Sequence, residues 1–133
     1  MTGKADDVSE KRPCISYTVH LDDWHPTTLN ELIRLRHWGQ RKRRKEADMA
    51  HLMVACQNAR IPKAKGKRRL SLVWHLPKGG KRRDEDNVFK TLNDCLVVLG
   101  MLKNDSPVWL ERGGIEYRRE GRKGLTVILE ETA

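Results

Sequence analysis

The alternation of apolar and polar residues from Ile15 to Leu21 is typical of a β-strand, in which successive side chains point to opposite faces. The β-branched and aromatic residues of this segment favour the same structure. We therefore predict a first strand here. The side chains expected to face the core are those of Ile15, Tyr17, Val19 and Leu21.

A helical pattern follows this strand. Thr28 and Glu31 have the spacing of a capping box, and apolar residues recur behind them at helical intervals. The pattern continues to about Ala59, which would make an unbroken helix of roughly 50 Å, longer than a domain of this size is wide. We therefore expect a break near Gly39. In the second helical part, the residues predicted to pack against the core are Met49, Leu52, Met53 and Cys56.

A second strand is predicted where Leu70, Leu72 and Trp74 alternate with polar residues, before a loop at residues 77–80. A third helix is predicted from Asp86 to about Val98, because apolar residues recur there with helical spacing.

Two closing strands, Val108 to Arg118 and Leu125 to Glu130, are expected to form an antiparallel hairpin through a turn at residues 121–124. The predicted order is βα(α)βαββ. This order indicates a single α/β (α+β) domain with a mixed β-sheet flanked by helices.

The length of the chain, 133 residues, suits one domain with one core. Residues 1–13 are polar and charged without an apolar run, and we expect them to form a flexible leader. The folded domain is predicted to span residues 14–133. Its three cysteines, Cys14, Cys56 and Cys95, are far apart and have no metal-ligand spacing, which indicates reduced thiols in an intracellular protein.

The charge balance indicates a polyanionic partner. Lys and Arg total 27 against 18 Asp and Glu, a net charge of +9. Such an excess in a small domain is typical of nucleic-acid binding. A membrane role is not expected, since no apolar stretch approaches the ~20 residues that a spanning helix needs.

The segment from Lys81 to Asp94, KRRDEDNVFKTLND, contains the residues best suited to chemistry. If the backbone is extended at Asp84 and Asp86, both carboxylates point to one side and can share a hard divalent cation such as Mg²⁺ or Mn²⁺. Asp86, Lys90 and Asp94 are spaced to form one polar stripe along the predicted helix.

Two basic runs are candidates for contact with nucleic-acid phosphates. One precedes the acidic residues and could hold a phosphate against the metal, and the other lies in the second helical part. The predicted DNA-binding residues are Arg41, Lys42, Arg43, Arg44, Lys45, Lys81, Arg82 and Arg83.

Each of these patterns also has an ordinary structural explanation. An Asp at the start of a helix is most often a cap, and Asp86 could serve only that purpose. Asp94 could simply pair with Lys90 one turn away. A basic run is most often a solvated helix face. The joint pattern favours the chemical interpretation, because capping alone does not require so many polar residues at these offsets.

The residues RRDEDNVFKTLNDCL, followed by NDSPV, resemble the pattern of the RusA family of Holliday junction resolvases. That pattern consists of Asp-x-Asp-Asn, a Lys and an Asp at successive four-residue intervals, and later an acidic pair followed by Val or Ile. The resemblance covers about residues 68–131. It implies an endonuclease domain over residues 14–133, located in the cytoplasm of a bacterium or, for a phage protein, of its host.

What the resemblance implies about the site can be stated for each residue. Asp84, Asp86 and Asp105 would bind Mg²⁺, for which Mn²⁺ can substitute, and Lys90 would be an essential basic residue that stabilises phosphoryl charge or orients water. The implied reaction is the hydrolysis of phosphodiesters in four-way junctions during DNA recombination and repair. A homodimer is expected, because a two-fold symmetric junction requires two opposed cuts.

Two alternatives remain open at this point. The family's acidic pair is Asn104-Asp105 here, so one carboxylate is replaced by an amide. A non-catalytic, structure-selective DNA-binding protein is therefore one alternative. A less selective nuclease that acts on flaps or forks is the other, since the N-terminal part departs from the family pattern.

Overall fold

The computed structural model describes residues 15–132. They form a single domain of four strands and three helices, which confirms the predicted α+β class and element order. The elements are β1 (Ser16–Asp22), α1 (Leu29–Arg34), α2 (Trp38–Asn58), β2 (Arg68–Leu76), α3 (Glu85–Val98), β3 (Leu110–Arg119) and β4 (Gly124–Glu131).

The strands form one mixed sheet with the order β1-β4-β2-β3. β4 is antiparallel to both of its neighbours, whereas β2 and β3 are parallel. The predicted hairpin between the two closing strands is therefore wrong, because β2 lies between them. The segment from Glu120 to Lys123 crosses the end of β2 instead, and it is fixed there by the bonds Glu120 N to Leu76 O and Asp23 N to Lys123 O.

The core lies between one face of this sheet and helices α2 and α3. Paired residues of adjacent strands share a face, and this face carries Val19 and Leu21, alternate residues of β4, and Leu70, Leu72, Trp74 and Leu76. Phe89, Leu92 and Leu96 of α3 cover it. Ile15 is 54% exposed because it precedes the paired strand, so its predicted place in the core is wrong.

The predicted capping box at the start of α1 is confirmed. The backbone N–H of Glu31 donates to Thr28 Oγ1 over 3.3 Å, and the Thr28 N–H donates to Glu31 Oε1 over 2.9 Å. The predicted break between the first two helices is also confirmed, although it falls at residues 35–37 and leaves Gly39 inside α2. Of the four core residues predicted for α2, Leu52 and Cys56 are buried, but Met53 is largely exposed.

A β-bulge interrupts β3 next to the middle of β2. Leu70 pairs with Arg112, but Ser71 pairs with Gly114, so Gly113 is an extra residue. A Cβ atom at Gly113 would lie 2.1 Å from Ser71 Oγ and 3.0 Å from Leu70 O, which is why only glycine fits there. Because of the extra residue, Arg112 lies on the same face as Ile115 and Tyr117, the face covered by α3.

None of the helices between residues 15 and 132 combines the length and the apolar composition that a membrane-spanning helix requires.

Candidate metal-binding and nucleic-acid-binding site

Asp84 is the N-cap of α3. Its Oδ1 accepts hydrogen bonds from the backbone N–H groups of Asp86 (2.9 Å) and Asn87 (3.4 Å). The backbone is extended at Asp84 but helical from Glu85 onward. The prediction that an extended backbone directs the Asp84 and Asp86 carboxylates to one side is therefore wrong. It is the cap that brings Asp84 close to Asp86, and the capping residue is Asp84 and not Asp86.

Asp86 lies in the first turn of α3, where a negative charge is favoured by the helix dipole. Its side chain is 82% exposed, and its Oδ1 forms an ion pair with Arg112 of β3. The Arg112 guanidinium also lies over the Phe89 ring, 4.6 Å from its centroid. Arg112 thus occupies one oxygen of a candidate metal ligand. The Arg112 side chain itself remains partly accessible to solvent.

The loop before α3 is anchored to β3. Tyr117 Oη donates to the backbone carbonyl of Arg83, and Arg119 Nη1 donates to that of Gly80 over 2.6 Å. The guanidinium of Arg82 lies over the Tyr117 ring, 5.0 Å from its centroid. Burial, with the nearby Glu85 carboxylate, raises the pKa of Tyr117 above its ordinary value. These contacts fix the backbone that presents Arg83 and Asp84.

The polar stripe predicted on α3 is present: Asp86, Lys90 and Asp94 are all exposed. No ion pair joins Lys90 to Asp94. Instead both line a cavity of about 260 Å³ between the three helices, together with Lys45 and the buried Asp48. Lys90 therefore lies one helical turn from Asp86, on the side that faces α1 and α2.

Asp105 is exposed in the connection between α3 and β3. The preceding Asn104 closes a turn, since its Oδ1 accepts the Ser106 N–H over 3.0 Å. Among residues 15–132, no three His, Cys, Asp or Glu side chains are grouped closely enough to hold a metal ion. The structure therefore places Asp84 and Asp86 at the start of the same helix but does not group Asp105 with them.

The two carboxylates at the start of α3 nevertheless fit a hard divalent cation. Mg²⁺ commonly uses only one or two protein carboxylates and keeps several water ligands. Asp84 Oδ2 makes no hydrogen bond to any residue in the described range, and Asp86 is widely exposed. Asp84 and Asp86 would hold such an ion, and Arg112 would have to release Asp86 Oδ1 or share it.

The basic run of α2 lies near the N-terminus of that helix, where positive charge is unfavourable. Arg41, Lys42, Arg43, Arg44 and Lys45 are all exposed in the N-terminal part of α2, which has no acidic residue in its first turn. Positive charges are unfavourable near a helix N-terminus, and like charges three or four residues apart repel each other.

The second basic run converges with the first. Lys81, Arg82 and Arg83 are exposed in the loop before α3. Lys81 and Arg83 line a pocket that also contains Arg44 of α2. The fold thus brings Arg44 of the first run next to Lys81 and Arg83 of the second, which directly precedes Asp84.

Sequence reasoning missed Arg112 and Tyr117. The pair Gly113-Gly114 is a signal for a bulge, and alternation from Ile115 places Tyr117 on the core face. The pairing partner of β3 cannot be deduced from these signals. Without it, neither residue could be placed next to the start of α3.

Neither a family model nor a curated protein matches this chain in comparisons with known proteins.

Proposed function

We propose that this protein is a metal-dependent endonuclease that cuts Holliday junctions or other branched DNA, as its resemblance to the RusA family implies. The observation that best supports the proposal is the pair of exposed carboxylates, Asp84 and Asp86, at the start of α3 within a strongly basic surface. A metal-dependent nuclease needs carboxylates to bind its metal ion and basic residues to bind the phosphate. A surface that only binds phosphate does not need the carboxylates.

The residues around α3 have distinct parts in this proposal. A bound Mg²⁺ would supply Lewis-acid stabilisation of the phosphoryl oxygen and a more acidic water. Asp84 and Asp86 hold the cation, Arg83 holds the phosphate beside it, and Arg112 neutralises phosphoryl charge once it releases Asp86. Lys90 stabilises the same charge from the next turn of the helix, and Asp105 is proposed as a third ligand.

The proposed assembly is a homodimer, since a four-way junction has two-fold symmetry and its resolution needs two opposed nicks. The proposed setting is DNA recombination and repair in the cytoplasm of a bacterium, or of a host that carries a phage.

The test is cleavage of a labelled immobile four-way junction, a three-way fork, a flap and a matched linear duplex in Mg²⁺. We expect paired symmetric nicks in the junction, and we expect Asp86→Asn to reduce the cutting rate by at least about 100-fold, the scale on which loss of a charge-stabilising group slows catalysis. Glu111→Gln on β3 is the control, because it removes an exposed carboxylate that pairs only with Arg69. Equal cutting of all branched substrates would indicate the less selective flap or fork nuclease.

Non-catalytic, structure-selective DNA binding is the second candidate function. It is favoured by the ion pair that occupies Asp86, by the absence of a three-ligand group among residues 15–132 and by the amide at Asn104. This candidate predicts tight junction binding without metal and no cleavage at any Mg²⁺ or Mn²⁺ concentration. Such a result would contradict the endonuclease proposal.

A further inference from the structure

A pocket of about 330 Å³ lies beside the end of β2, where residues of four separate segments meet. Its lining includes four basic residues, one from α2, two from the loop before α3 and one from the β3–β4 connection. These are Arg44, Lys81, Arg83 and Lys123. No pattern in the sequence predicts that Lys123 lies with the other three.

The charge of this pocket is poorly compensated. Glu31 is the single carboxylate in its lining, and its attraction to Arg83 and Arg44 offsets only part of the positive charge of the four basic residues. Within the described residues, none of the four cations has a carboxylate at ion-pairing distance. Like charges held together in a concavity repel each other, and an anion bound among them would relieve this repulsion.

The walls of the pocket are held by buried contacts. The His25 ring stacks on the buried Trp74 ring at 4.0 Å, and its Nε2 donates to the His75 carbonyl over 2.8 Å. Thr27 N donates to the buried Asp48 Oδ2 over 2.9 Å, and Thr91 Oγ1 donates to Thr27 O over 2.6 Å. The segment from His25 to Thr27 is therefore fixed against both α2 and α3.

The backbone at Lys123 is fixed beside the end of β2. Its carbonyl accepts the Asp23 N–H over 2.9 Å, where the chain crosses the end of β2. The pocket is thus lined by four basic residues that extend from ordered backbone, and its size is at the low end of ligand pockets, which suits a phosphate and part of its sugar better than a base pair.

We propose that this pocket binds a phosphate group, and that in the complex with DNA it receives a backbone phosphate of the strand presented to Asp84. An adjoining pocket of about 250 Å³ shares Glu31 and Arg83 with it and contains Asp84 and Asn87. Glu31 and Arg83 thus lie between the pocket and the start of α3. The identification of the phosphate as part of DNA rests on the proposed function, whereas the affinity for phosphate does not.

The first test compares Lys123→Gln with Lys65→Gln by fluorescence anisotropy on a labelled four-way junction without divalent metal, at several salt concentrations. Both variants lose one positive charge from an exposed lysine, but Lys65 lies in the loop before β2, at the other end of that strand. Losing one phosphate contact should lower the slope of log K against log[salt] by about 0.9 and weaken binding roughly five- to tenfold at 0.1 M salt. Lys65→Gln should change the affinity less than about twofold, since charges beyond a Debye length are screened.

The second test uses inorganic phosphate as the probe and NMR of the histidine ring protons as the readout, with His25→Gln to assign the His25 signal. Phosphate should shift the His25 signal saturably and raise its pKa, whereas chloride at equal ionic strength should not. The shift should be lost in Lys123→Gln. Circular dichroism of each variant shows that it is folded.

The outcomes separate the two proposals. If wild-type protein binds the junction but Lys123→Gln and Lys65→Gln behave alike, the pocket does not hold a DNA phosphate and this inference is overturned, even where inorganic phosphate binds. If wild-type protein binds no DNA, the proposed function fails, and saturable binding of inorganic phosphate would still support the phosphate site. A His25 signal that does not respond to phosphate overturns the site itself.

Discussion

The ion pair between Arg112 and Asp86 bears directly on the proposed metal binding, because it occupies an oxygen of one candidate ligand. Both side chains are substantially exposed, so water screens their attraction and the pair contributes only about 0–1 kcal/mol. The pair is therefore weak enough to open when a cation or a phosphate arrives. By pairing with Asp86, a candidate metal ligand, Arg112 also offsets part of the negative charge at the start of α3.

We predict that Arg112→Gln strengthens Mn²⁺ binding by about two- to fivefold, the factor that corresponds to losing a competing surface ion pair of up to about 1 kcal/mol. Isothermal titration calorimetry with MnCl₂ measures the effect. Arg118→Gln on the same strand is the control, because Arg118 pairs with Glu116 and not with the site. Unchanged or weaker Mn²⁺ binding in Arg112→Gln would contradict the prediction that Arg112 competes with the ion for Asp86.

His25 should make the stability of the fold depend on pH. Burial lowers the pKa of His25 below 6.5, and the positive charges of Lys123 and Arg83 lower it further, although its carbonyl partners oppose these effects. The unfolded chain therefore binds a proton at a higher pH than the folded chain does. Stability is unaffected by this group above pH 6.5, and it falls as the pH drops from 6.5 through the lower pKa of the folded state.

Urea unfolding at pH 7.5, 6.5 and 5.5 measures this effect. We expect the free energy of unfolding to decrease over this range, and the decrease to be smaller in His25→Gln. His37→Gln is the matched control, because His37 is an exposed residue before α2. Identical pH profiles for wild type and His25→Gln would contradict the prediction.

At the level of elements, local signals were sufficient to predict what each segment forms. The capping box at Thr28 and the helical spacing around Phe89 and Leu92 depend on nearby residues only, and both helices form as predicted. Strand pairing depends on the tertiary core. β4 has apolar residues on both faces, including Val127 and Ile128, as a central strand does, but the short turn before it indicated a hairpin.

The same distinction applies to the candidate site. The spacing of Asp84 and Asp86 identified the start of α3, because caps and acidic first turns are local features. Arg112, Lys123 and His25 could not be placed there from the sequence, since each reaches the site through a strand pairing or a chain crossing.

Gly113→Ala tests the bulge of β3. The added methyl group would collide with Ser71 Oγ and the Leu70 carbonyl, and overpacking of this kind costs about 1–3 kcal/mol of unfolding free energy. Gly66→Ala is the control, because a Cβ atom there meets nothing within 4 Å and its backbone does not need a positive φ. The control should be neutral or slightly stabilising. If thermal unfolding shows equal stability for both variants, the close approach of β3 to β2 is not as described.

At the level of the whole molecule, one sheet face carries most of the core, and the opposite face carries polar residues such as His20, His75 and Thr126. The hydroxyl oxygen of Thr126 lies 2.9 Å from a ring nitrogen of each histidine. His75 also contacts Glu120 in the β3–β4 connection. These contacts stabilise the crossing segment from the side opposite the core.

Leu129→Ala should therefore destabilise the domain far more than a change at its neighbour. Leu129 is fully buried on the core face, and truncating such a side chain costs about 2–5 kcal/mol. Ile128→Val on the opposite, partly exposed face should cost no more than about 1 kcal/mol. Chemical denaturation of both variants gives the comparison, and similar losses would contradict the assignment of the two faces.

The central position of β4 has a consequence for synthesis. In a nascent chain, β1 leaves the ribosome first, but its backbone partner follows roughly 100 residues later, or about 5–20 s at usual rates of elongation. During that interval the apolar side chains of β1 have no sheet to join, whereas β2, α3 and β3 can already associate. The domain therefore closes only after its fourth strand has emerged, and the unpaired first strand is the segment most exposed to chaperones and proteases before then.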